Sequence, residues 1–290
     1  MRSFDDEGEG VSQPARRSAS EAVSSAPAPT ALPARPAPSV AAILGVRFSV
    51  VDESALLGAV RTAVRDGRPT VFVGLYAALF RRLANDPGYR DLIDRSTTYP
   101  DGFGVVRELH KRGVAHAMRL ATTDMVYPLS AEAARQGWRI VMFGARPGVA
   151  ERAARALEQS TPGVDIVGVW DGYSGGPTVD QLRAARADIA LIAIGAPAQE
   201  QWAFDVAVPA GVPAIMTCGG LFDFMAGDKR RAPAWMQRAG LEWLFRVFLE
   251  PRRLIRRYLE GNLYFLRRAR HERAGAPLPP RPTTGPGTGL

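Results

Sequence analysis

The sequence is poor in the residues that most often announce an enzyme's chemistry. Its one cysteine, Cys218, excludes an intramolecular disulfide and a cysteine metal cluster. Embedded in the apolar run AIMTC, it reads as a small buried side chain. Three histidines, His110, His116 and His271, lack the spacing of a zinc site. No G-x-S-x-G elbow and no G-x-x-x-x-G-K-[ST] loop occurs, which removes the usual supports for acyl and nucleoside-triphosphate chemistry. No D-x-D pair is present either, so neither a metal clamped by paired carboxylates nor a cofactor is expected. No window approaches the run of about 18 apolar residues that spans a bilayer. The opening MRSFDDEGEGVSQ is acidic and polar rather than basic and then apolar, and this points to a cytosolic chain.

What is present is enough apolar residue, 46% of 290, to bury a sizeable core. Residues 1 to 40 are mostly Ala, Pro, Ser and Arg and cannot bury enough surface to offset ordering entropy, so a disordered leader is expected there. Residues 274–290 have the same character and read as a disordered tail. Between them, residues 41–228 alternate strand-like and helix-like runs, the pattern of an α/β fold with a Rossmann-like, mostly parallel sheet. Thr70–Leu75, Arg139–Gly144, Asp165–Trp170, Asp188–Ile194 and Ala214–Cys218 are the strand candidates. Ala77–Ala84 reads as a helix, with Asp86-Pro87-Gly88 breaking it.

Several of these strands run into glycine-containing turns. In open α/β sheets ligands sit at the carboxyl ends of the strands, so residues from at least three strand ends are expected to meet there. The candidates are Asp101 in YPDGFG, Gly144 before ARPGVAER, Gln199 and Glu200 in GAPAQEQ, and Gly219 and Asp223 in GGLFD. Gly144, its turn and the following helix N-terminus suit a phosphate, although the spacing is not that of the dinucleotide fingerprint.

The sharpest compositional break comes at Lys229. From there to Arg273 stand 13 Lys and Arg against 4 Asp and Glu, whereas the whole chain has 37 against 29, leaving everything outside this arm nearly neutral. Pro233 can open a helix, and Leu241, Leu244, Phe245, Phe248 and Leu249 then recur at helical spacing. Pro251 interrupts, and a second short helix should follow, with Leu254, Ile255, Tyr258 and Leu259 opposite Arg252, Arg253, Arg256 and Arg257. A basic amphipathic helical appendage over residues 229–273 fits a solvated face packed on the core, an anionic membrane surface or nucleic acid. The continuous Leu/Phe stripe favours the membrane over nucleic acid.

Taken together, YPDGFGVV, RLATTD, VMFGARPGVAERAARALEQSTPGVDIVGVWDGY, DIALIAIGAPAQEQW and GGLFDFMAGDKRRAPAWMQRAGLEWLFRVFLEPRRLIRRY resemble the WecG/TagA/CpsF family of bacterial glycosyltransferases, from about Ile43 to Leu266. The resemblance implies transfer of an N-acetylmannosamine-type or related sugar from a UDP-sugar donor to an undecaprenyl-diphosphate-linked acceptor in surface polysaccharide assembly. It also implies inversion at the anomeric carbon, a peripheral position on the inner membrane face and an appendage that completes the site. By the same resemblance Asp101 matches the general base, and Arg119 and Gln199 match groups that hold the nucleotide sugar. Arg231, Arg238 and Arg246 are the appendage arginines expected to face the diphosphate. The chain departs from the family pattern at Gly74-Leu75-Tyr76, where a threonine and asparagine are usual, at Thr123 before Asp124, and at Ala198 in place of a lysine. These departures leave room for a non-catalytic nucleotide-sugar-binding protein at the membrane. An NAD-dependent oxidoreductase is disfavoured by the missing fingerprint, and an oligomer is compatible with everything above.

Overall fold

A computed structural model describes residues 41–238, 241–249 and 251–273, with the side chains at 234, 238, 246, 251–254 and 257 outside that description. The expected leader and tail, and the side chains of Arg238 and Arg246, therefore lie outside the described residues. The chain opens with a hairpin that the sequence pattern had not suggested, β1 (Ala41–Ile43) against β2 (Val46–Phe48), whose Ile43, Val46 and Phe48 are buried. Then come α1 (Glu53–Asp66), β3 (Thr70–Leu75), α2 (Leu79–Asn85), α3 (Pro87–Asp94), β4 (Thr97–Pro100), α4 (Phe103–Lys111) and α5 (Thr122–Gln136). The middle of the chain gives β5 (Arg139–Gly144), α6 (Val149–Ser160), β6 (Asp165–Trp170), α7 (Val179–Ala185) and β7 (Ile189–Ala193). Next are α8 (Ala198–Trp202), a π-helical turn at Ala203–Ala207, β8 (Ala214–Thr217) and α9 (Leu221–Met225). The basic segment forms α10 (Ala234–Arg238), α11 (Glu242–Leu249) and α12 (Pro251–Arg273).

Strands β3 to β8 form one six-stranded, wholly parallel sheet in the order β4-β3-β8-β7-β5-β6. The expected α/β fold is thus borne out. Parallel strands need helical crossovers that cover both faces, and this explains why TVFVGL and IALIA are nearly unbroken apolar runs rather than alternating ones. One face packs Val71, Val73, Val141, Ala190, Ile192 and Ile215, and the other packs Phe72, Met142, Leu191 and Met216.

The expected break at Asp86-Pro87-Gly88 is borne out: α2 ends at Asn85 with Asp86 extended, and the same segment then begins α3, because Asp86 accepts the Tyr89 N–H at 2.9 Å and Pro87 sits where the helix needs no donor. Two local expectations need correction. The helix opened by Pro233 closes after one turn, where the Leu241 N–H reaches the Met236 carbonyl at 2.8 Å, so the Leu241–Leu249 stripe belongs largely to a separate α11. The helix after Pro251 is not short. It runs 23 residues because Tyr258, Gly261, Phe265 and Ala269 form a continuous buried stripe along it. Phe265 is fully buried and its ring centroid lies 4.8 Å from that of Phe80 on α2. A Cβ on Gly261 would stand 2.7 Å from the Ala78 Cα, so helix and core approach at backbone distance.

That packing splits the expected apolar face of α12. Tyr258 turns into the core, whereas Ile255, Leu259, Leu263 and Leu266 remain exposed at 45–56%. At about 100° per residue these four lie on a strip beside the buried stripe; the exposed Arg256 and Arg267 border it on the far side, and the exposed Arg270 caps it one turn beyond Leu266.

Candidate active site

The carboxyl ends of all six parallel strands open into one cleft of roughly 1840 Å³. Its walls come from Gly74 near the end of β3 and Tyr76 just after it, Asp101 after β4, Arg146 after β5, Gly172 after β6, Gly195 after β7 and Gly219 after β8. Its fourth side is closed by the basic segment, through Lys229, Arg230, Glu242, Trp243, Tyr258, Leu259 and Leu263.

Asp101 stands between β4 and α4, held by its N–H on the Leu75 carbonyl at 3.0 Å. The strand that delivers it is extended by a neighbour: the Leu120 N–H donates to the Pro100 carbonyl at 2.8 Å. This brings Arg119 alongside. Its Nε donates to the Asp101 carbonyl at 3.2 Å, and its guanidinium carbon stands 5.3 Å from the Phe103 ring centroid. A Cβ on Gly74 would lie 2.9 Å from the Tyr99 ring and 3.1 Å from the Asp101 Cβ. The side chain missing at position 74 is therefore room that Tyr99 and Asp101 occupy. Burial, reinforced by the Asp101 charge, pushes the Tyr99 hydroxyl well above its ordinary range, so it stays neutral and shares a hydrogen bond with Thr122 at 3.0 Å.

Gln199 and Glu200 are brought into the same cleft but are both buried. The Gln199 Oε1 accepts from the Gly195 N–H at 3.2 Å and the Gly219 N–H at 3.0 Å, and its Nε2 donates to Glu200 Oε1 at 2.8 Å. Gln199 thus ties together the turns after β7 and β8. Gly219, in the left-handed region at φ 56°, can aim its N–H this way with little strain. Burial lifts the Glu200 carboxyl above the usual carboxylate range, and its Oε2 has no hydrogen-bond partner among the described residues. Gly144 does not line the cleft; a Cβ there would overlap the Ala193 carbonyl, so glycine lets the ends of β5 and β7 meet, leaving Ala145 and Arg146 at the wall. The Cys218 thiol is pushed up to about 12 by burial and offers no nucleophile.

Several cationic side chains in and beside the cleft are paired with carboxylates. Lys229 meets Asp223 at 2.9 Å, Arg152 meets Asp228 at 2.6 Å, and Arg231 is paired with Asp124. Arg119 donates through Nη2 to Glu242 Oε2 at 2.6 Å, and Arg231 lies 3.7 Å from the same oxygen. Glu242, Tyr76 and Trp243 line the cleft and are residues that sequence reasoning missed. A glutamate inside GLEWLFR reads as the polar edge of a helix, and only its burial at 6% exposure distinguishes it. Tyr76, Tyr258 and Trp243 form a chain of rings, with centroids 6.2 and 6.1 Å apart, joining the end of β3 to α12 and α11. Among the described residues no group of His, Cys, Asp and Glu has the geometry to hold a metal ion.

The model of the family described as "Glycosyl transferase WecG/TagA/CpsF family" matches residues 41–277. The chain is also 32% identical, over 206 residues, to a protein of Bacillus subtilis (strain 168), across 68% of this chain and 78% of the relative. That relative is the N-acetylglucosaminyldiphosphoundecaprenol N-acetyl-beta-D-mannosaminyltransferase.

Proposed function

The chain belongs to the WecG/TagA/CpsF family and is a glycosyltransferase; on that premise we propose that it moves an N-acetylmannosamine-type or related sugar from a UDP-sugar to an undecaprenyl-diphosphate-linked saccharide. The observation that carries the mechanism is the meeting of Asp101 and Arg119, 3.2 Å apart through the Asp101 carbonyl, at the mouth of a cleft formed by all six strand ends. The acceptor hydroxyl attacks the anomeric carbon while the bond from that carbon to the diphosphate oxygen breaks, and the hydroxyl proton passes to the Asp101 carboxylate. Attack from the face opposite the leaving group inverts the anomeric configuration. Charge gathers on the departing UDP, and Arg119 with the appendage arginines, Arg231 among them, stabilises it without a metal. Gln199 acts by holding the Gly195 and Gly219 turns against the donor.

The acceptor's polyprenyl chain needs an apolar approach, and the exposed strip Ile255, Leu259, Leu263 and Leu266 supplies one that runs into the cleft wall at Leu259 and Leu263. No described helix is long and apolar enough to cross a membrane. A strip bordered by Arg256, Arg267 and Arg270 fits attachment to the anionic inner face of the cell membrane, each nearby arginine adding about 1 kcal/mol. In this reading residues 41–228 are the catalytic core and residues 229–273 the membrane-facing appendage.

Incubation with a panel of UDP-sugars and short-chain prenyl-diphosphate saccharides, with and without EDTA, tests the proposal. One product of inverted configuration, formed equally well under chelation, is expected. Retention of configuration, or activity that vanishes with EDTA and returns with Mg²⁺ or Mn²⁺, would overturn the mechanism.

A further inference from the structure

Glu242 lies 123 residues beyond Arg119, on a helix of the basic appendage, yet it is the group that fixes this core arginine. Three contacts hold the guanidinium: the Asp101 carbonyl at 3.2 Å, the Phe103 ring at 5.3 Å, and the Glu242 carboxylate at 2.6 Å. A guanidinium has five N–H groups in a rigid fork. Anchoring it through Nε and one hydrogen of Nη2 sets the direction of the others. Arg119 itself lines the cleft, so that direction is set for a ligand there.

A buried carboxylate is costly unless paired, and Glu242 is buried at 6% exposure. Among the charged groups that face it are Arg119 and Arg231, at 2.6 and 3.7 Å. Seating of Glu242 therefore places its carboxylate on the Arg119 guanidinium. Attachment of α11 has separate, apolar supports: Val247 packs with Ala78 and Tyr258, and Trp243 lies against Tyr258. These remain when the Glu242 charge is removed.

We propose that Glu242 is a positioning residue through which the appendage orients Arg119, and with it the Asp101 turn, so that the catalytic end of β4 is in working geometry only when α11 is seated on the core. The proposal rests on the transferase reading with Asp101 as base. It assigns the appendage a carboxylate with a role distinct from that of its arginines.

The test uses the full chain, a UDP-sugar and a water-soluble prenyl-diphosphate saccharide, with Glu242→Gln, Glu242→Asp, Arg119→Ala and the double variant Glu242→Gln/Arg119→Ala. A misplacement of the arginine by an ångström lowers turnover on the order of 10²-fold. Glu242→Gln should show a kcat loss of that order while amide exchange over residues 242–249 and the unfolding profile stay as in the wild type. Glu242→Asp, with the charge kept, should recover part of the loss. Because both residues act as a unit, the double variant should be no slower than Arg119→Ala alone. Wild-type kcat in Glu242→Gln, a change confined to donor KM, additive losses in the double variant, or release of α11 would each overturn the proposal. Absence of transfer by the wild type would instead overturn the functional reading beneath it.

Discussion

Phe265 anchors the helix that lines the cleft and carries the exposed apolar strip, and Phe265→Ala measures how firmly that helix is held. The ring is fully buried and packs on Phe80 at 4.8 Å between centroids. Truncating a buried phenylalanine costs about 3 to 5 kcal/mol, the range reflecting how far the site can collapse. Collapse is restricted here, because a Cβ at Gly261 would already be 2.7 Å from the Ala78 backbone and the helix cannot slide closer to fill the space. The upper half of the range is therefore expected. With tenfold per about 1.4 kcal/mol, opening of α12 should become roughly 10³- to 10⁴-fold more frequent. Amide hydrogen exchange read by mass spectrometry across residues 251–273, with β3 and β7 as internal references, is the assay. Exchange in α12 should accelerate by that factor while β7 stays unchanged, and transfer to the lipid-linked acceptor should fall with it. Acceleration of less than about tenfold would refute the claim that Phe265 is the principal anchor.

Asp101→Asn should keep the fold and UDP binding, measured calorimetrically, while losing about 10²- to 10⁴-fold in turnover; near-normal turnover removes Asp101 as base. Glu200, whose carboxyl is raised by burial, contributes stability that is full below the unfolded carboxylate pKa of about 4.3 and is lost as pH rises through the higher folded value. Glu200→Gln should accordingly gain melting temperature relative to the wild type as pH is raised from about 4 to 7, and a constant or shrinking gap contradicts this. Replacing Leu259 and Leu263 by Ser should weaken sedimentation with acidic phospholipid vesicles at all salt concentrations. Replacing Arg267 and Arg270 by Glu should instead weaken it mainly at low salt, where charge attraction is unscreened. Wild-type sedimentation by both variants would show that α12 does not face the lipid.

The sheet was legible because parallel strands covered on both faces must be continuous apolar runs, and TVFVGL, RIVMFG and IALIA could hardly be anything else. The cleft was legible for a related reason. Glycine-containing turns at strand ends announce places where backbone and ligand come close, and they led to Asp101, Gln199 and Gly219. The hairpin at Ala41–Phe48 was not legible, since strands of three residues each carry too little pattern to stand out.

The sequence by itself determined five of the six strands of the parallel sheet, all but β4, together with the cleft edge and the amphipathic character of the basic segment, because each follows from residue order and helical or strand period alone. Only the tertiary structure decided which side of that amphipathic helix is covered. Period fixes the angle between side chains, but Tyr258 is buried and Ile255 and Leu259 are exposed because α2 and Ala78 happen to meet the stripe that contains Gly261 and Phe265. The tertiary structure alone likewise joined Glu242 to Arg119. A charge has no sequence period, and its partner is whichever opposite charge the packing of α11 brings within 2.6 Å.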